Sequence, residues 1–179
     1  MLPMPTPDFI LKLREKIGHD PLWLVGVTAY VEDGEGRVLL GRRADSGKWA
    51  LMSGINEPGE EPADTVVREV LEETGVAVVP TALVGVKADD RLITYGNGDQ
   101  TRYLDLLFVC RTADDDAAAR VHVADEESTA VGWFALDALP EPLQLSTIER
   151  LERVRVWRER AAAGDAAALF SCSSNPVSR

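Results

Sequence analysis

A turn-rich loop and a helix share residues 54–76, which read GINEPGEEPADTVVREVLEETGV. Pro62 stands where the first helical turn would begin, a position at which the missing N–H of proline costs nothing. Gly75 supplies the left-handed residue that commonly ends a helix. The stretch therefore predicts a helix over residues 62–74, and residues 53–60 form the loop that leads into it.

The predicted helix has two faces of different chemistry. Glu69, Glu72 and Glu73 are spaced i, i+3 and i+4, so they share one side within about one turn, where their like charges repel. Hard divalent cations such as Mg²⁺ and Mn²⁺ prefer oxygen ligands and would relieve that repulsion. The alternative is a solvated acidic face on which Arg68 pairs with Glu72. The side predicted to pack on a sheet consists of Ala63, Val66, Val67, Val70, Leu71 and Thr74.

The spacing along the whole stretch favours the metal-binding interpretation. Gly54 is followed after five residues by Glu60, and after seven more by Arg68-Glu69-Val70-Leu71-Glu72-Glu73-Thr74-Gly75-Val76. This pattern matches the Nudix box at every defining position, and its seven fixed residues would match a given site by chance on the order of 10⁻⁸ to 10⁻⁹. The chain thus resembles the MutT-like Nudix hydrolases, and the resemblance covers roughly residues 23–139.

The resemblance implies an α/β fold, a Nudix-type α/β/α sandwich with a mixed sheet and a loop–helix–loop catalytic motif. The order of the segments agrees, because strand-like and helical stretches interleave without regular alternation. We expect an N-terminal helix extension over residues 1–20, the hydrolase domain over 21–160 and a flexible tail over 161–179. Further expected elements are helices at 9–17 and 145–160, strands at 23–31, 37–40, 76–79, 81–88, 92–95, 101–111 and 129–136, and a solvated loop at 113–120.

The same resemblance assigns roles to residues of the box. It implies that Glu69, Glu72 and Glu73 bind Mg²⁺ or Mn²⁺, assisted by a backbone carbonyl near Ser53 or Gly54. Arg68 and Glu60 are expected to pair and hold this cluster in place. The chain departs from the family where Ser53-Gly54 replaces the frequent pair of glycines and where Glu61 replaces a Ser or Thr helix cap. Neither departure removes a carboxylate, so we expect altered loop geometry with the chemistry retained.

The family's reaction is the attack of water on a phosphorus of a nucleoside diphosphate linked to another group X. A divalent ion makes hydroxide available near neutral pH and screens phosphate charge. The base is Glu72, Glu73 or a carboxylate outside the box, for which Glu127 is our candidate. Glu127 lies in the loop Asp125-Glu126-Glu127, six residues before Trp133, and the alternative is a plain solvated loop.

Basic residues flank the box and could bind the substrate. Arg42, Arg43 and Lys48 could contact non-bridging phosphate oxygens, or they could be exposed charges at strand ends. The first candidate substrate is a nucleoside triphosphate, which could carry an oxidised base. The alternatives are ADP-ribose and dinucleoside polyphosphates.

Two rival functions occur on the same fold. One is a non-catalytic nucleotide-sensing domain, against which the intact box argues. The other is isomerase chemistry on an isoprenoid diphosphate, which needs a reactive cysteine in the site. Cys110 lies in an apolar run and is predicted to be a small buried hydrophobe, while Cys172 lies far along the chain.

Composition limits the partners that we expect. A formal net charge of −11 argues against binding a nucleic-acid polymer, whose counterions a basic surface must replace. The sequence contains no apolar run of the roughly 18 residues that a membrane helix needs and no signal sequence. We therefore expect a cytoplasmic protein with a small nucleotide substrate and no membrane partner. The sequence is compatible with a monomer or a homodimer.

Overall fold

The computed structural model describes residues 6–114 and 116–172 of the 179-residue chain. These residues form three α-helices, which are α1 (Asp8–Ile17), α2 (Pro62–Thr74) and α3 (Leu145–Ala162). They also form eight strands, which are β1 (Leu22–Glu32), β2 (Val38–Arg43), β3 (Trp49–Ala50), β4 (Met52–Ile55), β5 (Val78–Ala88), β6 (Ile93–Thr94), β7 (Gln100–Thr112) and β8 (Ser128–Phe134).

The strands form one mixed sheet in the described part of the chain. Its main path runs β3-β2-β1-β7-β5, while β4 pairs with β1, β6 with β7 and β8 with β2. The long central strands β1 and β7 are parallel, and the other strand pairs are antiparallel. The predicted mixed sheet is confirmed.

Helices cover both faces of the sheet. Side chains alternate between the two faces of a strand, so Val27 and Ala29 of β1 face one core and Tyr30 faces the other. Val66 and Val70 of α2 belong to the first core, and Val154 of α3 belongs to the second. The result is the predicted α/β/α sandwich. None of the described helices has both the length and the apolar character that crossing a membrane requires.

All three expected helices are present, each within two residues of its predicted bounds. The strand predictions need corrections. Residues 53–55, predicted as loop, belong to β4, because they pair with β1. The two strands predicted at 76–79 and 81–88 are one strand, β5, which begins only at Val78 and whose pairing with β7 shifts register between Pro80 and Ala82. Pro80 separates the two predicted strands in the sequence, because proline has no N–H to donate to a neighbouring strand and is read as a strand end.

Two further segments differ from the sequence prediction. The predicted solvated loop 113–120 contains a short 3₁₀ turn, Ala117–Arg120, in which Ala117 is fully buried. In the predicted tail, the Leu169 amide donates to the Val84 carbonyl (2.7 Å), and the Val86 amide donates to the Leu169 carbonyl (3.0 Å). These bonds attach part of the tail to β5. Residues 173–179 lie outside the described residues.

Candidate active site

Strand β4 brings the start of the box against the helix α2. Gly54 pairs with Val27 in the sheet and lies directly beside the Glu69 side chain of α2. A Cβ atom at residue 54 would lie 2.0 Å from Glu69 Cδ, so any larger residue would displace this carboxylate. The helix ends at Gly75, whose φ of 70° is the left-handed conformation predicted there.

Arg68 is the hub of an ion-pair network on α2. Its Nε and Nη2 atoms donate to the two carboxylate oxygens of Glu60, at 2.9 and 3.1 Å, which is the expected pair. Its Nη1 donates to Glu69 (2.9 Å) and to Glu72 (3.1 Å). The hydrogen bonds from Arg68, with a further one from the Thr65 hydroxyl, lower the pKa of Glu60 to about 2. The Arg68–Glu72 pair of the alternative interpretation is therefore also present.

Two box carboxylates are withdrawn from solvent. Burial raises the pKa of Glu69 to about 7, although the neighbouring Arg68 acts in the opposite direction. Glu73 is only 8% exposed. Burial raises the pKa of Glu73 well above its ordinary value, and the negative charges of Glu127 and Glu69 raise it further. A buried carboxylate with a raised pKa is a frequent property of catalytic and ion-binding sites.

The gathering of the three box carboxylates that the sequence predicts is only partly present. The Glu72 side chain is 58% exposed and is directed to Arg68. In residues 6–114 and 116–172, no group of three or more Asp, Glu, His or Cys side chains is arranged to hold a metal ion. The buried side of α2 runs through Val66, Val70 and Glu73, whereas Leu71, predicted to pack, is 48% exposed.

A residue outside the box joins the buried carboxylates. Glu127 and Glu73, together with Arg43 and Ser53, line a small cavity of ≈ 10 Å³. The backbone holds the two segments together, because the Ala124 amide donates to the Glu73 carbonyl at 3.2 Å. Burial, and then the charge of Asp125, raises the pKa of Glu127. The structure thus places Glu127 beside Glu73, which a solvated loop would not require.

The three basic residues predicted near the substrate differ in position. Arg43 lines the cavity and donates from Nε and Nη2 to the two oxygens of Asp45, at 2.9 and 2.6 Å. Its positive charge also acts on Glu73 and Glu127, where it offsets part of the rise in pKa that burial causes. Arg42 is exposed and donates from Nε to the Gly47 carbonyl at 3.0 Å, and Lys48 is exposed in the same turn. Of these three residues, Arg43 lies at the acidic cluster.

Several other residues bear on the site. Asn56 and Thr65 contact the Glu60–Arg68 pair, and the sequence offered no signal for them beyond their polar type within the loop and helix. Cys110 is 1% exposed and belongs to the core under α2, and burial raises the pKa of its thiol to about 12. The prediction of a buried hydrophobe is confirmed, and such a thiol is unsuited to acid–base work in an isomerase.

Comparison with known proteins connects this geometry to a family. A sequence model described as the NUDIX domain matches residues 22–154. The chain is 37% identical over 121 residues to a MutT-like protein of Streptomyces ambofaciens, covering 68% of this chain and 70% of the relative. It is 32% identical over 109 residues to the nucleoside triphosphatase NudI of an Enterobacter strain, covering 59% and 73%. Among solved structures, a MutT NUDIX hydrolase from Burkholderia pseudomallei superposes with a TM-score of 0.59 at 30% identity, covering 74% and 98%.

Proposed function

Because the chain belongs to the Nudix family of pyrophosphohydrolases, we propose that it hydrolyses a diphosphate bond of a nucleoside triphosphate with the help of Mg²⁺ or Mn²⁺. The observation that carries the proposal is a pair of carboxylates withdrawn from solvent, with Glu69 beside Gly54 of β4 and Glu73 beside Glu127. The choice of a triphosphate is supported by the resemblance to a relative named a nucleoside triphosphatase. The proposal includes a triphosphate with an oxidised base, and the nucleotide panel described below tests it.

The donor set fits a hard divalent cation. Its side-chain donors are carboxylate oxygens, and two of the carboxylates, Glu69 and Glu73, are withdrawn from solvent at a cost that a bound cation would offset. We assign Glu69, Glu72 and Glu73 as the residues that would hold the ion, with a backbone carbonyl of Ser53 or Gly54. Glu72 is exposed, and exposed side chains change rotamer within nanoseconds, so its present pairing with Arg68 is no barrier to this role. When bound, the ion would supply positive charge that activates water and neutralises phosphate.

The chain's own residues supply the remaining chemistry. Arg68 holds the Glu69 carboxylate in place through Nη1, and Glu60 in turn fixes the Arg68 guanidinium. Glu73 and Glu127 have raised pKa values, which make each carboxylate a stronger proton acceptor than an ordinary glutamate. Arg43 lies at the same cavity, where its guanidinium could bind a phosphate oxygen.

The proposal is tested by incubating the protein with a panel of nucleotides and measuring the phosphate and pyrophosphate released. The panel contains ordinary and oxidised nucleoside triphosphates, ADP-ribose and a dinucleoside polyphosphate, each with Mg²⁺, with Mn²⁺ and with excess chelator. We expect turnover of a triphosphate that the chelator abolishes and the metal restores. Full turnover in chelator would overturn metal dependence, and nucleotide binding without any turnover would indicate a sensor.

A further inference from the structure

Two polar side chains lie behind the Glu60–Arg68 pair. The Asn56 side-chain amide donates from Nδ2 to the Thr65 hydroxyl oxygen (2.7 Å) and to the Glu60 carbonyl (3.0 Å). The Thr65 hydroxyl donates to Glu60 Oε2 at 2.8 Å. Thr65 is fully buried on α2, and the backbone N–H of Asn56 donates to the Val25 carbonyl of β1 at 3.0 Å. The chain of bonds therefore begins on the sheet and ends on the Glu60 carboxylate.

The direction of each bond in this chain is fixed by chemistry. An amide NH₂ only donates, a hydroxyl has one proton to give, and an ionised carboxylate only accepts. The Thr65 hydroxyl can accept from Asn56 because its own proton is directed to Glu60 Oε2 at 2.8 Å, which is closer than the Glu61 carbonyl at 3.4 Å. Every group has a partner of the right kind, so the Glu60 carboxylate is held in one orientation.

We propose that Asn56 and Thr65 are positioning residues, which orient Glu60 so that Arg68 presents Nη1 to the box carboxylates. This inference rests on the proposed function, because it assumes that Glu69 and Glu72 bind the metal. Two nitrogens of the planar Arg68 guanidinium are engaged by Glu60, so a rotation of that carboxylate moves the third nitrogen away from Glu69. Residues that orient metal ligands strongly affect metal affinity.

The test compares two buried threonines of the same helix. Thr65→Val removes the hydroxyl at nearly constant volume and breaks the chain of bonds. Thr74→Val is the matched control, because Thr74 is equally buried but its hydroxyl donates to the Val70 carbonyl (2.6 Å), away from Glu60. Thr65→Ser keeps the hydroxyl and removes only the methyl group, so it is the conservative variant. The readouts are the dissociation constant for Mn²⁺ without nucleotide, measured by electron paramagnetic resonance of the free ion, and the free energy of unfolding.

We expect Thr65→Val to weaken Mn²⁺ binding by about 10-fold, while Thr65→Ser stays close to the unmodified protein. Thr74→Val should lose stability and keep its Mn²⁺ affinity. Equal Mn²⁺ affinities of Thr65→Val and Thr74→Val would overturn the positioning role. If Thr65→Val does not fold, Asn56→Ala breaks the same chain at a partly exposed loop residue, and an unchanged Mn²⁺ affinity in that variant would also overturn it.

The unmodified protein separates this inference from the proposed function. Mn²⁺ binding and nucleotide turnover by the unmodified protein, with no loss in Thr65→Val, would reject only the positioning role. Absence of both Mn²⁺ binding and turnover in the unmodified protein would reject the proposed function, and the positioning role with it.

Discussion

Replacing Glu69 by glutamine should stabilise the metal-free protein at pH 8. Burial raises the pKa of Glu69 from 4.5 to about 7, so the charged form is disfavoured in the folded state. The Glu69 side chain is only 18% exposed. At about 1.4 kcal/mol per pKa unit, the shift corresponds to a cost of about 3 kcal/mol for keeping the folded side chain ionised. Glutamine keeps an oxygen to accept from Arg68 but must place an NH₂ group, so we expect a net gain of about 2 kcal/mol.

The gain should depend on pH in a defined direction. The folded pKa of Glu69 is above the unfolded value, so the folded protein binds the proton more tightly and unmodified Glu69 costs little at pH 4.5. The cost grows as the pH rises from 4.5 to about 7 and is complete above 7. The stability of the variant relative to the unmodified protein should therefore be about 3 kcal/mol more favourable at pH 8 than at pH 4.5.

The assay is thermal unfolding in the presence of chelator at pH 4.5 and pH 8. At about 2–4 °C per kcal/mol for a chain of this size, the variant should melt about 4–8 °C higher at pH 8. Glu126→Gln, at an exposed residue of the loop before β8, should leave Tm unchanged. Added Mg²⁺ should raise Tm of the unmodified protein more than that of the variant. A variant that is less stable than the unmodified protein at pH 8 would refute the reasoning.

Three further changes address other parts of the site. Glu60→Gln should lower the free energy of unfolding in urea by about 1–2 kcal/mol at neutral pH, because Arg68 lowers the Glu60 pKa to about 2. The stability that the ionised Glu60 contributes is present above pH 4.5 and is lost as the pH falls through about 2. An equal loss of stability in the variant at pH 2 would contradict this reasoning. Glu127→Gln should lower kcat about 10-fold if Glu127 accepts a proton in the reaction, whereas Glu126→Gln should leave kcat unchanged. Equal kcat values for the two variants would mean that Glu127 is only part of a solvated loop. Val70→Asp should cost several kcal/mol of unfolding free energy, since residue 70 is fully buried in the core under α2, and a cost of only about 0.5 kcal/mol would contradict that packing.

Local sequence signals predicted the helix that carries the site. Pro62 and Gly75 act on the backbone of their own turns, and α2 begins and ends where they indicate. The Glu60–Arg68 pair was implied by the resemblance to the Nudix family and is also present. The helix bounds depend on residues close in sequence, which a single chain reveals directly, whereas the ion pair needed the family pattern.

Features that depend on distant neighbours were harder to predict. Helical periodicity defines a face only to within about one residue, so it placed Leu71 inside and Glu73 outside, the reverse of what is observed. Strand β4 and the segment that carries Glu127 contact α2 from other parts of the chain, and helical periodicity contains no information about these contacts. Similarly, the turn around Ala117 is held by the Trp133 indole, which donates to the Ala118 carbonyl at 2.9 Å.

The most direct test of the proposed chemistry is the kcat of Glu73→Gln on the triphosphate found in the screen, at saturating Mg²⁺, with folding confirmed by circular dichroism. Glu73 is the most deeply buried of the three box carboxylates and lies beside Glu127. Removing its charge should lower kcat by at least ~10² while the fold is retained. A kcat close to that of the unmodified protein would show that the acidic face of α2 does not perform the reaction.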